Sequence, residues 1–145
     1  MTMIPVRVSG LAIDERTKNP VVLLQEIAGN RVLPIWIGPI EASAIHNELL
    51  GKRYQRPLTH DLILSILEGV QAKVSRVVIS DLKETTYFAN LYIDAGRGAI
   101  AIDARPSDCI ALAVQQKCPL YVANKVFGAV EDMSKLSPVN QVTAV

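Results

Sequence analysis

Residues Ile35-Trp36-Ile37-Gly38-Pro39-Ile40-Glu41-Ala42-Ser43-Ala44-Ile45 and Ile102-Asp103-Ala104-Arg105-Pro106-Ser107-Asp108-Cys109-Ile110-Ala111-Leu112 read as two versions of one strand-to-helix corner. A constant offset of 67 residues lays Ile35 on Ile102, Pro39 on Pro106, Glu41 on Asp108, Ala44 on Ala111 and Ile45 on Leu112. In each version an apolar strand gives way to a proline, which suits the first helical position because its missing N–H would have had no partner there. An acid follows two residues later, in the first turn, where a carboxylate complements the helix dipole.

The elements before each corner repeat as well. Residues 4–14 predict a strand with Ile4, Val6 and Val8 on one face, and a change of phase at Gly10 predicts a bulge. Arg16-Thr17-Lys18-Asn19-Pro20 reads as a turn, Val21 to Gln25 as a short strand, and Arg31 to Ile37 as a covered central strand, apolar on both faces. Pro34 cannot donate to a ladder, so this strand must be bulged or unpaired on one side near its middle. A helix from Pro39 to Leu50 stops at Gly51. The second half offers strands at 72–80 and 84–93 joined by Asp81-Leu82-Lys83, a Gly-rich hairpin turn at 94–98, a strand at 99–103 and a helix from Pro106 to about Lys117. The expected fold is therefore α+β: a duplicated strand-strand-strand-helix unit forming a largely antiparallel or mixed sheet with helices packed against it.

Two pieces do not repeat. Thr59 as N-cap, Asp61 in the first turn and the stripe Leu62, Ile63, Ile66, Leu67 and Val70 predict a linking helix over 59–70. The tail, 119–145, offers a strand at 120–122 and one helical turn near Glu131 to Leu136, and reads as a cover or interface element. The whole is expected to be one domain, 1–145, with halves at about 4–51 and 71–118. Trp36 is expected in the core, and Cys109 and Cys118 are expected as two buried thiols without a bridge.

Composition limits function more than it points to one. Apolar residues make up 50% of the 145 and charged residues 20%, with 15 Lys and Arg against 14 Asp and Glu. A net charge of +1 gives no global attraction to nucleic acid or anionic membrane, although a local patch suffices to bind a phosphate backbone. Apolar runs such as Ile110-Ala111-Leu112-Ala113-Val114 are too short to span a bilayer. Met1-Thr2-Met3 leads into a charged strand rather than a secretory signal, so a cytoplasmic protein with no membrane partner is expected. No Walker-type loop, dinucleotide fingerprint, serine elbow or zinc-type cysteine pair is present, and no organic cofactor is expected.

Three polar clusters carry chemistry. Asp103 to Asp108 is the densest: two carboxylates around Arg105 could hold a divalent cation and pin a phosphate, or Asp108 could cap the helix while Arg105 neutralises Asp103. Thr59-His60-Asp61 offers a base and its partner, or metal ligands, or simply a solvated first turn. Lys52-Arg53-Tyr54-Gln55-Arg56 suits contact with a phosphate backbone and one stacked base, or is an ordinary solvated loop. His46 and Glu48 sit near the less apolar face of the first helix, and His46 reads as a partly exposed filler.

Taken together, Arg31-Val32-Leu33-Pro34-Ile35-Trp36-Ile37-Gly38, Glu41-Ala42, Arg56-Pro57-Leu58-Thr59-His60-Asp61-Leu62 and Asp103-Ala104-Arg105-Pro106-Ser107-Asp108 resemble the bifunctional nuclease domain family, over about Ile4 to Val126. The resemblance implies degradation of DNA and RNA, and it carries over Glu41, His60, Asp61, Asp103, Arg105, Ser107 and Asp108 as the residues of interest. The expectation is a phosphodiesterase assisted by a divalent metal, Mg2+ or Mn2+, held by Asp103, Asp108 and Glu41. His60, Asp61, Arg105 and Ser107 would be catalytic, and Lys52, Arg53, Tyr54 and Arg56 would bind a DNA or RNA substrate. The rival is a non-catalytic binding or structural module in which the acids and Arg105 form a salt-bridged network. A homodimer is expected from uncovered sheet edges, from Phe88 and Tyr92 facing away from Leu91, and from apolar tail positions Val130, Leu136 and Val139.

Overall fold

The computed structural model describes residues 2–129 and the backbone of 139–142. Its strands join one mixed sheet. The first half supplies β1 (Met3–Asp14), β2 (Pro20–Glu26), β3 (Val32–Trp36) and α1 (Pro39–Leu50); α2 (Thr59–Gly69) follows. The second half supplies β4 (Lys73–Lys83), β5 (Thr86–Asp94), β6 (Ala99–Ala104) and α3 (Pro106–Gln116), and β7 (Leu120–Ala123), α4 (Asn124–Ala129) and β8 (Val139–Val142) complete the chain. Strand order is β3-β2-β1-β7-β4-β5-β6. The two halves thus run outward from β7, which pairs antiparallel with β1 and parallel with β4. The remaining length of β1 pairs with β8.

Local chemistry explains the ladder. The register of β1 on β2 slips between Val8 and Gly10, where the sequence pattern changes phase. Apolar residues on both faces suggested that the strand around Pro34 was central, but β3 is a sheet edge. That position resolves the proline: among the described residues only β2 lies beside it, so a missing N–H interrupts no second ladder. Asp81-Leu82-Lys83 is strand rather than turn. The hairpin closes instead over Glu84 and Thr85, both left-handed at φ 49° and 71°, a pair of conformations that matches the twist of the strands they join.

The core lies between the sheet and the helices. Ile45 is the buried residue of α1, whereas α3 buries a continuous run from Cys109 to Ala113. These pack over Leu24, Leu33, Ile35, Val77 and Ile79 from the strands. Both cysteines are free; Cys109 is buried, which pushes its thiol up to about 12, and Cys118 is half-buried. Helix α1 packs against α3, so the two repeated corners stand side by side. No described helix is long and apolar enough to cross a membrane.

Three expectations need correction or restriction. Trp36 is 37% exposed at the end of the edge strand, not core; its indole N–H donates to Asp14 Oδ2 at 2.9 Å and ties that edge to β1. Thr59 is not the N-cap of α2. Leu58 holds that place, and its backbone N–H is taken by the Asp61 carboxylate at 2.9 Å. Val130, Leu136 and the helical turn at 131–136 lie outside the described residues, as does the side chain of Val139.

Two outcomes follow for stability. Ile45→Ala removes a fully buried side chain between α1 and the sheet and should lower unfolding free energy by about 2–5 kcal/mol in chemical denaturation. Asp14 is held below its ordinary value of 3.8, chiefly by the Trp36 N–H and also by the backbone N–H and charge of Arg16. A depressed folded-state pKa stabilises above the unfolded value and is lost as pH falls through the folded one. Denaturation at a series of pH values below 4 should therefore show a steeper acid loss for the natural chain than for Asp14→Asn.

Candidate active site

Each corner presents its acid from the first turn of a helix, and the side-by-side packing of α1 and α3 brings the two acids near one arginine. Arg105 precedes α3 with an extended backbone at φ −69° and ψ 143°, so its side chain turns back over the helix start. Its Nε donates to Asp108 Oδ2 at 2.9 Å, Nη2 to Asp108 Oδ1 at 3.2 Å and Nη1 to Glu41 Oε1 at 3.0 Å. One guanidinium therefore holds the equivalent acids of both halves. Gly38, which occupies the position equivalent to Arg105, leaves room for Glu41: a Cβ there would run into Glu41 Oε2.

His60, from the first turn of α2, completes the chain of contacts, with Nε2 3.0 Å from Asp108 Oδ1. Burial raises the proton affinity of Asp108, but hydrogen bonds from Arg105 and His60 outweigh it and hold the carboxyl below its ordinary value. The Asp108 hydrogen bond, then its charge and the Glu41 contact, raise Arg105 in turn. Arg105 remains 63% exposed at its side chain, so it is a presented cation and not a sealed one.

These groups line a cleft of about 620 Å3 between α1, α2 and α3. Leu91, Ala104 and Leu112 contribute apolar wall, and Lys52 and Tyr54 lie at the loop side with the Lys52 ammonium 5.3 Å from the Tyr54 ring. Arg105 and Glu41 also border a second cleft of about 340 Å3, with Ser107, Tyr87 and Trp36. Ser107 is buried in the first turn of α3 on that second side, away from His60's cleft. The Tyr87 hydroxyl there donates to Pro34 O at 3.1 Å, and burial pushes it up to about 12.

The remaining expected residues divide. Asp61 borders the cleft but is engaged structurally, taking the Leu58 N–H and a 2.5 Å hydrogen bond from Gln115 Nε2. Arg53 reaches Glu48 at 3.7 Å, and Arg56 is exposed in the loop and does not line the cleft. Asp103 is exposed near the end of β6 and takes no part in the Arg105 chain. Among the described residues no three His, Cys, Asp or Glu side chains gather as metal ligands. Asp103, Asp108 and Glu41 therefore do not form the expected cage, because Arg105 takes up the space between the latter two.

Glu48 was given no role from the sequence, yet it lines the cleft with Asn47. Burial is the main cause that raises its proton affinity, partly offset by Arg53 and reinforced by Asp61. A signal for it existed: Glu48 is seven residues after Glu41, two helical turns on the same face. Gln115 carried no such signal, since its contact with Asp61 depends on how α2 meets α3.

Residues 22–134 match the family model described as the bifunctional nuclease domain. An uncharacterised protein of Mycobacterium tuberculosis is 43% identical over 121 residues, covering 83% of this chain and 72% of that protein. Bifunctional nuclease 1 of Oryza sativa is 25% identical over 116 residues, covering 78% of this chain and 35% of the rice protein. By the extent of the family match and the mycobacterial identity, this chain belongs to the bifunctional nuclease domain family.

Proposed function

We propose that the chain hydrolyses phosphodiester bonds of DNA or RNA in the 620 Å3 cleft, on the strength of one observation: the unbroken chain Glu41–Arg105–Asp108–His60 along its wall. A guanidinium has five N–H donors, and Glu41 and Asp108 take three of those on Arg105. The other two, on an exposed side chain, suit the oxygens of a phosphodiester. Ionised Asp108 accepts the Nε2–H of His60, which leaves Nδ1 as the basic nitrogen. Nδ1 takes a proton from water, the resulting hydroxide attacks phosphorus, and the bond to the leaving sugar oxygen breaks. Glu48, whose burial favours the protonated acid, supplies the proton to that oxygen. Lys52 and Tyr54 hold the flanking phosphate and base.

A divalent cation belongs to this reading only as an ion brought in by the phosphates of the substrate, which is how Mg2+ commonly binds where a chain offers few carboxylates. No step above depends on it. The cytoplasmic setting is part of the same proposal, and two free thiols are compatible with a reducing compartment. Self-association belongs to it too.

The non-catalytic reading is favoured by one observation, that Arg105 joins the corners of both halves. Variants separate the two. His60→Ala and Arg105→Ala should each lower nuclease activity about 100-fold or more on single-stranded DNA and RNA, measured with EDTA and with Mg2+ or Mn2+. Because the Arg105 pairs are largely exposed, its removal should change unfolding free energy by about 1 kcal/mol or less. Undiminished activity in both variants would exclude the catalytic assignment. A loss of several kcal/mol in a natural chain without activity would establish the structural one.

A further inference from the structure

Helix α2 has no buried residue, although it is apolar on two sides. Ile63, Leu64 and Leu67 pack partly against the core, while Leu58, Leu62, Ile66 and Val70 recur every fourth residue along an outer stripe. The sheet carries a matching gap. In the β5–β6 ladder Ile102 lies opposite Leu91 and Ile100 opposite Ile93, so both isoleucines face the helix-bearing side. No described helix covers them: the four stripe residues and these two isoleucines are all between 42% and 66% exposed. The outer edge of β6 has no strand beside it among the described residues, and Ala99-Ile100-Ala101-Ile102 has none of the charges or prolines that guard an edge.

We propose that a second copy of this chain covers both surfaces, with β6 pairing antiparallel to its counterpart across a two-fold axis and the α2 stripes buried beside it. Three observations select this occupant. The polar positions of α2 are Thr59, His60, Asp61, Ser65 and Glu68, with no lysine or arginine. An anionic membrane surface or a phosphate backbone would want cations there. Strand β6 is preceded by Arg97 and nearly ends with Asp103, both exposed and both without an ion pair among the described residues. Antiparallel pairing that keeps Ile100 and Ile102 on the helix side sets Arg97 opposite or diagonal to the partner's Asp103, whereas a parallel arrangement would set like beside like. Finally, a two-fold contact is self-complementary, so one axis buries the exposed edge and the uncovered face on both copies together.

The pairing accounts for the isolation of Asp103 from the Arg105 chain. It also supports α2, the helix that brings His60 to Asp108; that consequence rests on the nuclease reading, while the interface itself does not. The test is the mass of the full chain in solution, which is independent of activity. Light scattering at micromolar concentration should give twice 15.8 kDa. Ile66→Glu and Ile100→Glu, checked by circular dichroism for retained fold, should each give a monomer. Arg97→Asp should raise the dimer dissociation constant about tenfold, and adding Asp103→Arg should restore it. A natural chain that stays at 15.8 kDa, or dimers that survive both Glu variants, would overturn the proposal. So would a monomer that pellets with vesicles containing phosphatidylserine, since the stripe would then serve lipid.

Discussion

One guanidinium between two carboxylates is the constraint around which the rest of the site is arranged. Glu41 and Asp108 come from equivalent corners, and the packing of α1 on α3 forces them toward each other. Two like charges at that separation would repel and pull protons from solvent. Arg105 removes the conflict, and in doing so it keeps Asp108 ionised, which orients His60. The α1–α3 contact, the start of α3 and the placement of α2 therefore meet at a single side chain.

The cleft separates proton affinities by environment. Asp108 and Glu48 are both carboxylates on its wall, yet one is lowered by donors and the other raised by burial. Helix geometry gives that division: Asp108 stands at a helix N-terminus beside a cation, and Glu48 lies half-buried in the last turn of α1, where Arg53 reaches it from the loop at 3.7 Å. Such a split is a usual preparation for acid and base work with a single residue type.

The fold was legible because its signals are local. Proline at the start of α1 and α3, glycine at the end of α1 and alternation along the strands depend on backbone sterics within a few residues. The offset between corners could be read from the chain alone for the same reason. What alternation could not supply was the position of a strand in the sheet. β3 is apolar on both faces yet lies at an edge, and Pro34 was the residue that said so. The site was half legible. Arg105, Asp108, Glu41 and His60 stood in the motifs singled out and come together along one wall, but Asp103, only five residues from Asp108 in sequence, stands apart from them. Strand alternation and the turn into α3 separate them. Gln115 was invisible because its partner is 54 residues away and reached only through helix packing.

The pair Gly38 and Arg105 means that the two halves are no longer interchangeable. A chain built from two copies of the first half would have glycine at both corners and leave its acids facing each other without a cation. Built from two copies of the second, it would carry an arginine and an aspartate at both corners, two guanidiniums where the natural pair is joined by one. The divergence of one position has converted a repeat into a matched set, so an idealised, internally identical version of this fold would keep the sheet and lose the clamp.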